Sequence, residues 1–185
     1  MKKHLLLILP FLLLFGCKST KMASSSSETS PNTIFNATLV SPSPSENPYY
    51  HCKDFLEIVY NTFTINEIEN KYASWLSKEL QPTQNIHNIH ITDTILSYTS
   101  GSNIIKFYQA RHTDILFMVE LTDSRIALFE NIRPGMSKAD FQTKFSISHE
   151  LPNSIKIGTP EAASSFIFQF RRGKLRQISS DLYID

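Results

Sequence analysis

Glycine is scarce in this chain. There are five in 185 residues, and the spacing of Gly16, Gly101, Gly135, Gly158 and Gly173 leaves no dinucleotide fingerprint, no phosphate-cradling loop and no Gly-x-Ser-x-Gly elbow. Cysteine is scarcer still, with only Cys17 and Cys52, so no disulfide framework can be drawn. Neither charge sign dominates either, at 18 basic against 17 acidic residues. Strong phosphate affinity needs clustered Lys and Arg, and the one dense basic patch, Arg171-Arg172-Gly173-Lys174 with Arg176, reads as a solvated hairpin turn. Nucleic acid is therefore not expected as a partner.

What the chain does have is a marked N-terminus. Lys2 and Lys3 precede the apolar run Leu5 to Phe15, which is long enough for the core of a signal peptide and too short for a mature spanning helix. The run closes with Leu14-Phe15-Gly16-Cys17, which resembles a bacterial lipobox, and the resemblance implies cleavage between Gly16 and Cys17 with lipid on the Cys17 thiol. Cleavage removes Lys2 and Lys3 and no acidic residue, leaving 16 basic against 17 acidic residues, a formal −1. Lys18, rather than Asp, follows the lipidated residue, and by analogy with lipoprotein sorting this places the protein on the outer membrane facing the periplasm. Lipidation would leave Cys52 without an intrachain partner. Its context, Tyr49-Tyr50-His51-Cys52-Lys53, allows a buried small hydrophobe, the favoured reading, or an activated thiol.

Residues 17–48 are rich in Ser, Thr, Asn and Pro and read as a disordered tether after the signal peptide of residues 1–16. A flexible chain of about thirty residues has an r.m.s. span on the order of 30 Å. An apolar island, Ile34-Phe35 with Leu39-Val40, interrupts the tether and could dock weakly on the body. Residues 49–185 are the size of one domain.

Within that body, Asn47-Pro48 is read as the start of a helix running to about Tyr60, with Phe55, Leu56, Val59 and Phe63 on one side. Thr64-Ile65-Asn66-Glu67 is a capping box, and Ile65, Ile68, Tyr72, Trp75 and Leu76 form one stripe of a helix stopped by Pro82 soon after Leu80. A four-strand meander is expected next: Ile91–Thr99 and Ile104–Arg111 around Ser100-Gly101-Ser102-Asn103, then Asp114–Leu121 and Ile126–Asn131 around Thr122-Asp123-Ser124-Arg125. Pro134-Gly135-Met136-Ser137 opens a short helix, Lys138–Phe145, with Ser137 and Asp140 at capping-box spacing. Phe166, Phe168 and Phe170 alternate along a strand, turn at Arg172-Gly173 and return through Leu175–Ser180. Three rings on one face indicate core first and a binding platform second.

The two capped helices align without a gap, Thr64–Tyr72 on Ser137–Phe145 at an offset of 73 residues. The expected fold is accordingly α+β, with amphipathic helices packed on an antiparallel sheet, in two helix-then-strands units of about residues 49–131 and 132–185. The segment Ile132-Arg133-Pro134-Gly135-Met136-Ser137-Lys138-Ala139-Asp140-Phe141 resembles the helix start of small envelope lipoproteins of the BamE (SmpA/OmlA) type and of the wider β-lactamase-inhibitor-protein-like fold. The strand, turn and strand from Phe166 to Ile178 resemble their ending. Two features depart from that pattern: Phe145-Ser146-Ile147 stands where members carry Gly-x-Pro, and the long first half has no counterpart in the simplest members.

The resemblance implies a membrane-anchored, non-enzymatic protein-binding module whose partner is another envelope protein, and an inhibitor or immunity protein as the narrower form. Phe166, Phe168, Phe170, Arg171, Arg172 and Lys174 are the candidate contact residues. The alternative is an envelope hydrolase or small-ligand carrier using Cys52 or the histidines. His87 and His90 are the nearest approach to a metal pair, but three residues apart at the start of a strand they point to opposite sides. No metal, no other cofactor and no catalytic residue is expected.

Overall fold

The computed structural model describes residues 33–40, 47–85, 87–160 and 164–182. The expected signal peptide, Cys17 and most of the expected tether lie outside the described residues. Among the described residues nine strands form one sheet: β1 (Thr38–Val40), β2 (Tyr49–His51), β3 (Ser77–Gln84), β4 (Thr92–Ser100), β5 (Asn103–Ala110), β6 (Thr113–Leu121), β7 (Ser154–Thr159), β8 (Ser164–Arg171) and β9 (Lys174–Asp181). Their order across the sheet is β1-β2-β7-β8-β9-β6-β5-β4-β3. Neighbours are antiparallel except β2 and β7, which run parallel.

This overturns the expected helix-on-antiparallel-sheet fold. Among the described residues strand accounts for 46% and helix for 18%, and the three helices, α1 (Lys53–Thr62), α2 (Ile65–Tyr72) and α3 (Lys138–Lys144), are short. The residues expected to extend α2 form β3 instead, pairing from Ser77↔Thr99 to Gln84↔Thr92. Pro82 cannot continue a helix, whereas a proline is tolerated on an edge strand where its missing N–H faces outward. The two repeat units also fail as equivalents. Residues 49–131 are split between the two sides of the sheet, with β2 beside β7 and β3–β6 beyond β9.

Other differences follow from tight local geometry. Asn47-Pro48 does not start a helix; Tyr49–His51 is a strand and Cys52 takes the N-cap position of α1. Residues 126–131 do not continue the meander. The chain turns there through Phe129 and Ile132, with Glu130 at φ 46° and Ile126, Leu128, Phe129 and Ile132 all buried, and β6 pairs with β9 in their place. The capped helix starts do form: Thr64 Oγ1 accepts from Glu67 N at 3.3 Å, and Ser137 Oγ accepts from Asp140 N at 3.0 Å. The β4–β5 turn at Gly101 and the β8–β9 turn, with Arg172 at φ 53° and Gly173 at φ 72°, also fall where the sequence puts them. Strand β7 has no counterpart in the sequence reading. Its Gly158 is required by close approach, since a Cβ there would lie 2.2 Å from the Ser164 carbonyl oxygen.

The core lies on one face of the sheet, and a cluster of phenylalanine rings joins it to the helices. Phe55 of α1 meets Phe166 at 5.8 Å and Phe168 at 6.0 Å, and Phe141 of α3 meets Phe168 at 4.8 Å and Phe170 at 5.1 Å. Into this cluster comes Phe35, from the segment read as tether. It is only 2% exposed, packs edge-on to Phe55 at 5.3 Å and stacks on Phe145 at 5.3 Å. Phe35 N donates to Lys144 O at 2.8 Å and Ala37 N to Phe145 O at 3.3 Å, so the strap caps the end of α3 before pairing as β1 with β2. Lys144 Nζ is bonded to Glu130 Oε2, both side chains being nearly buried, and Glu130 Oε1 accepts from Thr33 N at 3.4 Å. The folded body therefore begins by Thr33, not Tyr49.

Replacing a buried phenylalanine by alanine costs about 3–5 kcal/mol. Phe35→Ala should lower the unfolding free energy of the full chain by about that amount in urea titration; a loss under about 0.5 kcal/mol would mean that residues 33–40 are not part of the cooperative unit.

Candidate functional site

The side chains nominated from sequence divide. Phe166 and Phe168 are fully buried and Phe170 is 5% exposed, so these rings are interior and cannot meet a partner. Alternation shows that they share a face, but not that α1 and α3 cover that face. Arg171, Arg172 and Lys174 are exposed at the β8–β9 turn. His87 and His90 sit exposed in the β3–β4 connection, where their backbone amides are held by the Asn85 and Asn88 side chains. Among the described residues no group of His, Cys, Asp or Glu is placed to hold a metal, and no helix is long and apolar enough to cross a membrane.

Cys52 is 3% exposed. Burial pushes its thiol up from the usual range, against a smaller opposite pull from the Phe55 amide, so the nucleophilic thiolate is disfavoured.

Two clefts gather other polar groups. One lies where β4, β5 and β6 end, about 460 Å³ in volume, with Asp93, Gln109, Arg111, His112 and Asp114 among its lining residues. Asp93, 4% exposed, accepts from Asn85 Nδ2 at 2.6 Å and from the Tyr108 hydroxyl on the same oxygen, Oδ2. That bond is the chief reason the Tyr108 hydroxyl is pushed up. Gln109 Nε2 donates to Asp114 Oδ1 at 3.0 Å. Asp93 thereby pins Asn85, in the β3–β4 connection, to Tyr108 of β5.

The second cleft, about 390 Å³, opens beside the β1 edge between Leu39, Pro48, Tyr50, His149, Glu150, Leu151 and Pro152. Leu39 pairs with Tyr50 across β1 and β2, so both side chains lie on the cleft's face of the sheet. Tyr50 is 1% exposed, its hydroxyl is hydrogen-bonded to His149 Nε2 at 2.7 Å, and the two rings stack at 5.8 Å with planes 14° apart. Burial pushes the Tyr50 hydroxyl up, so it stays protonated at neutral pH. Gln142 Nε2 donates to the His149 carbonyl at 2.7 Å and ties the loop to α3. The result is a fixed apolar hollow with Glu150 on its wall.

The two sheet edges differ. Strand β3 carries Lys78, Glu79 and Pro82, and Lys78 is tied to Glu69 at 2.5 Å, with Glu69 also taking the Tyr98 hydroxyl at 2.7 Å. Charge and proline are what natural edges use to refuse a further strand. Strand β1 has neither within Thr38–Val40, and Leu39 and Val40 are 43% and 40% exposed. With Ile34, this short segment supplies three of the seven exposed large apolar side chains among the described residues.

No family model, curated protein or solved structure matches the chain.

The sequence flagged Leu39-Val40 as an apolar island, and nothing in it joined that island to Tyr50 or His149. Their meeting through Tyr50 depends on the parallel β2–β7 pairing, which no local pattern announces. Native Cys52 should react with a thiol reagent at least a hundredfold more slowly than the urea-unfolded chain. Equal rates would place the thiol at the surface.

Proposed function

We propose that the mature chain is a bacterial envelope lipoprotein, held by acyl groups on Cys17, that binds another envelope protein without catalysing a reaction. An inhibitor or immunity protein is the narrower form of this reading. What supports it most is the β1 edge: a strand end free of charge and proline, with Leu39 and Val40 exposed beside the Tyr50–His149 hollow. Exposed apolar groups also stand at the opposite edge, on Leu80, Ile89 and Ile91, but there Lys78, Glu79 and Pro82 discourage a further strand, which leaves β1 as the edge suited to a partner. The N-terminus adds the anchor. Acyl chains contribute about 0.8 kcal/mol per buried methylene, and more than one chain is needed for stable attachment. The burial of Cys52 leaves the rival, thiol-based hydrolase reading without an accessible nucleophile.

A photo-crosslinking side chain introduced in place of Leu39, in the full-length protein within intact envelopes, should give one protein adduct of defined mass. The same group in place of Gln81 on β3 should not. Cys17→Ser should move the protein from the membrane to the soluble periplasmic fraction and reduce the adduct. Identical adducts from both positions, or only lipid and bulk porins, would contradict the reading.

A further inference from the structure

We infer that the β1 edge receives an extended segment of the partner as a tenth strand, apolar at the residue facing Leu39 and basic two residues away on the same face. The inference rests on the reading of the chain as a binding module and names what it binds. An edge strand presents unpaired N–H and C=O groups, and their complement is another extended backbone; pockets along the edge then select alternate side chains. Both parts are present here. Among the described residues β1 pairs only with β2. A residue added opposite Leu39 would have its Cβ about 5 Å from that of Leu39, on the face where the hollow opens. The hollow is lined by Leu39, Pro48, Tyr50, Leu151 and Pro152, which suits an apolar side chain.

Glu150 supplies the charge selection. It is exposed on the hollow's wall and makes no hydrogen bond or ion pair with another described residue, so a Lys or Arg one strand repeat from the apolar residue would complete it.

The edge is also prepared for such a guest. Phe35 in the core, the amides of Phe35 and Ala37 on the end of α3, and the Thr33–Glu130–Lys144 link hold the strap ahead of β1, so little ordering is left for binding to do. Position points to the class of partner. From Cys17 to Thr33 a chain spans at most about 55 Å when fully extended, which keeps β1 within reach of proteins at the same membrane. The occupant is therefore an extended, apolar and basic segment of another envelope protein.

The test uses the full-length mature lipoprotein in detergent and labelled, capped heptapeptides of threonine with leucine at position 4 and lysine or glutamate at position 6. Fluorescence anisotropy should show the lysine peptide binding several-fold more tightly than the glutamate peptide. N-methylation of the alternate backbone nitrogens on one side of the peptide should weaken binding at least tenfold, and on the other side should leave it unchanged. Glu150→Lys should reverse the preference between the two peptides, and Val40→Lys, at an exposed position that leaves the melting temperature in place, should weaken both. Absence of binding, equal effects of the two methylation patterns, or a preference unmoved by Glu150→Lys would overturn the inference. So would a concentration-dependent dimer that Val40→Lys dissolves, since the edge would then belong to a second copy. None of these readouts depends on the lipid. Peptide binding without an envelope adduct would sink the functional proposal alone, and an adduct at Leu39 without the methylation pattern would sink this one alone.

Discussion

Eight phenylalanine rings hold together the parts of this molecule that no local rule would bring together. Phe35, Phe55, Phe129, Phe141, Phe145, Phe166, Phe168 and Phe170 form a continuous series of ring contacts between 4.6 and 6.1 Å. Through it the N-terminal strap, α1, α3 and the turn at Phe129 are all attached to β8. Offset and edge-on aromatic pairs add about 0.5–1.5 kcal/mol beyond area burial, and here the geometry also fixes where each element enters. Phe145 is the hub on the helix side, touching Phe35, Phe55, Phe141 and Phe168. Because Phe35 is part of the cluster, β1 is placed by the core rather than by its own three-residue ladder.

That dependence explains how a strand too short to stand alone can form the margin of a nine-stranded sheet. Isolated short ladders are marginal in water. Here β1 leans on β2, β2 lies parallel to β7, and the strap preceding β1 is bonded to the end of α3. The same arrangement puts Tyr50 beside Leu39 across the ladder and against His149. The opposite margin is built differently: β3 is long and pairs along its length with β4, and it carries the charged and proline residues that discourage further pairing. Among the described residues the sheet thus has a guarded edge and an open one, and the open one adjoins the segment that leads toward Cys17.

Local chemistry made some of this legible. The caps at Thr64 and Ser137, the turn at Gly101 and the Arg172-Gly173 turn each depend on a few neighbouring residues, and each lies where its pattern is written. Legibility ended where nonlocal pairing decided. Residues 77–84 carry no periodicity strong enough to separate a helix end from an edge strand, and only Thr92–Thr99 as a partner settles the matter. Ser154–Thr159 is central, yet it is only six residues long. The alternation of Phe166, Phe168 and Phe170 gave their common face, while their burial came from Phe55 and Phe141, both distant in sequence. The low-complexity composition around Phe35 concealed that this one ring belongs to the core. The candidate site shares that origin, since Leu39, Tyr50 and His149 converge only once the strap and the parallel pairing are in place.

Amide hydrogen exchange of the full chain, resolved over Thr33–Val40, tests this arrangement most directly. The amides of Phe35 and Ala37, which donate to the end of α3, should exchange nearly as slowly as those of β8, whereas an outward-facing amide of β1 should exchange orders of magnitude faster. If the whole of Thr33–Val40 instead exchanges at the rate of an unstructured peptide, the strap is not part of the fold, and the edge on which binding is proposed does not exist.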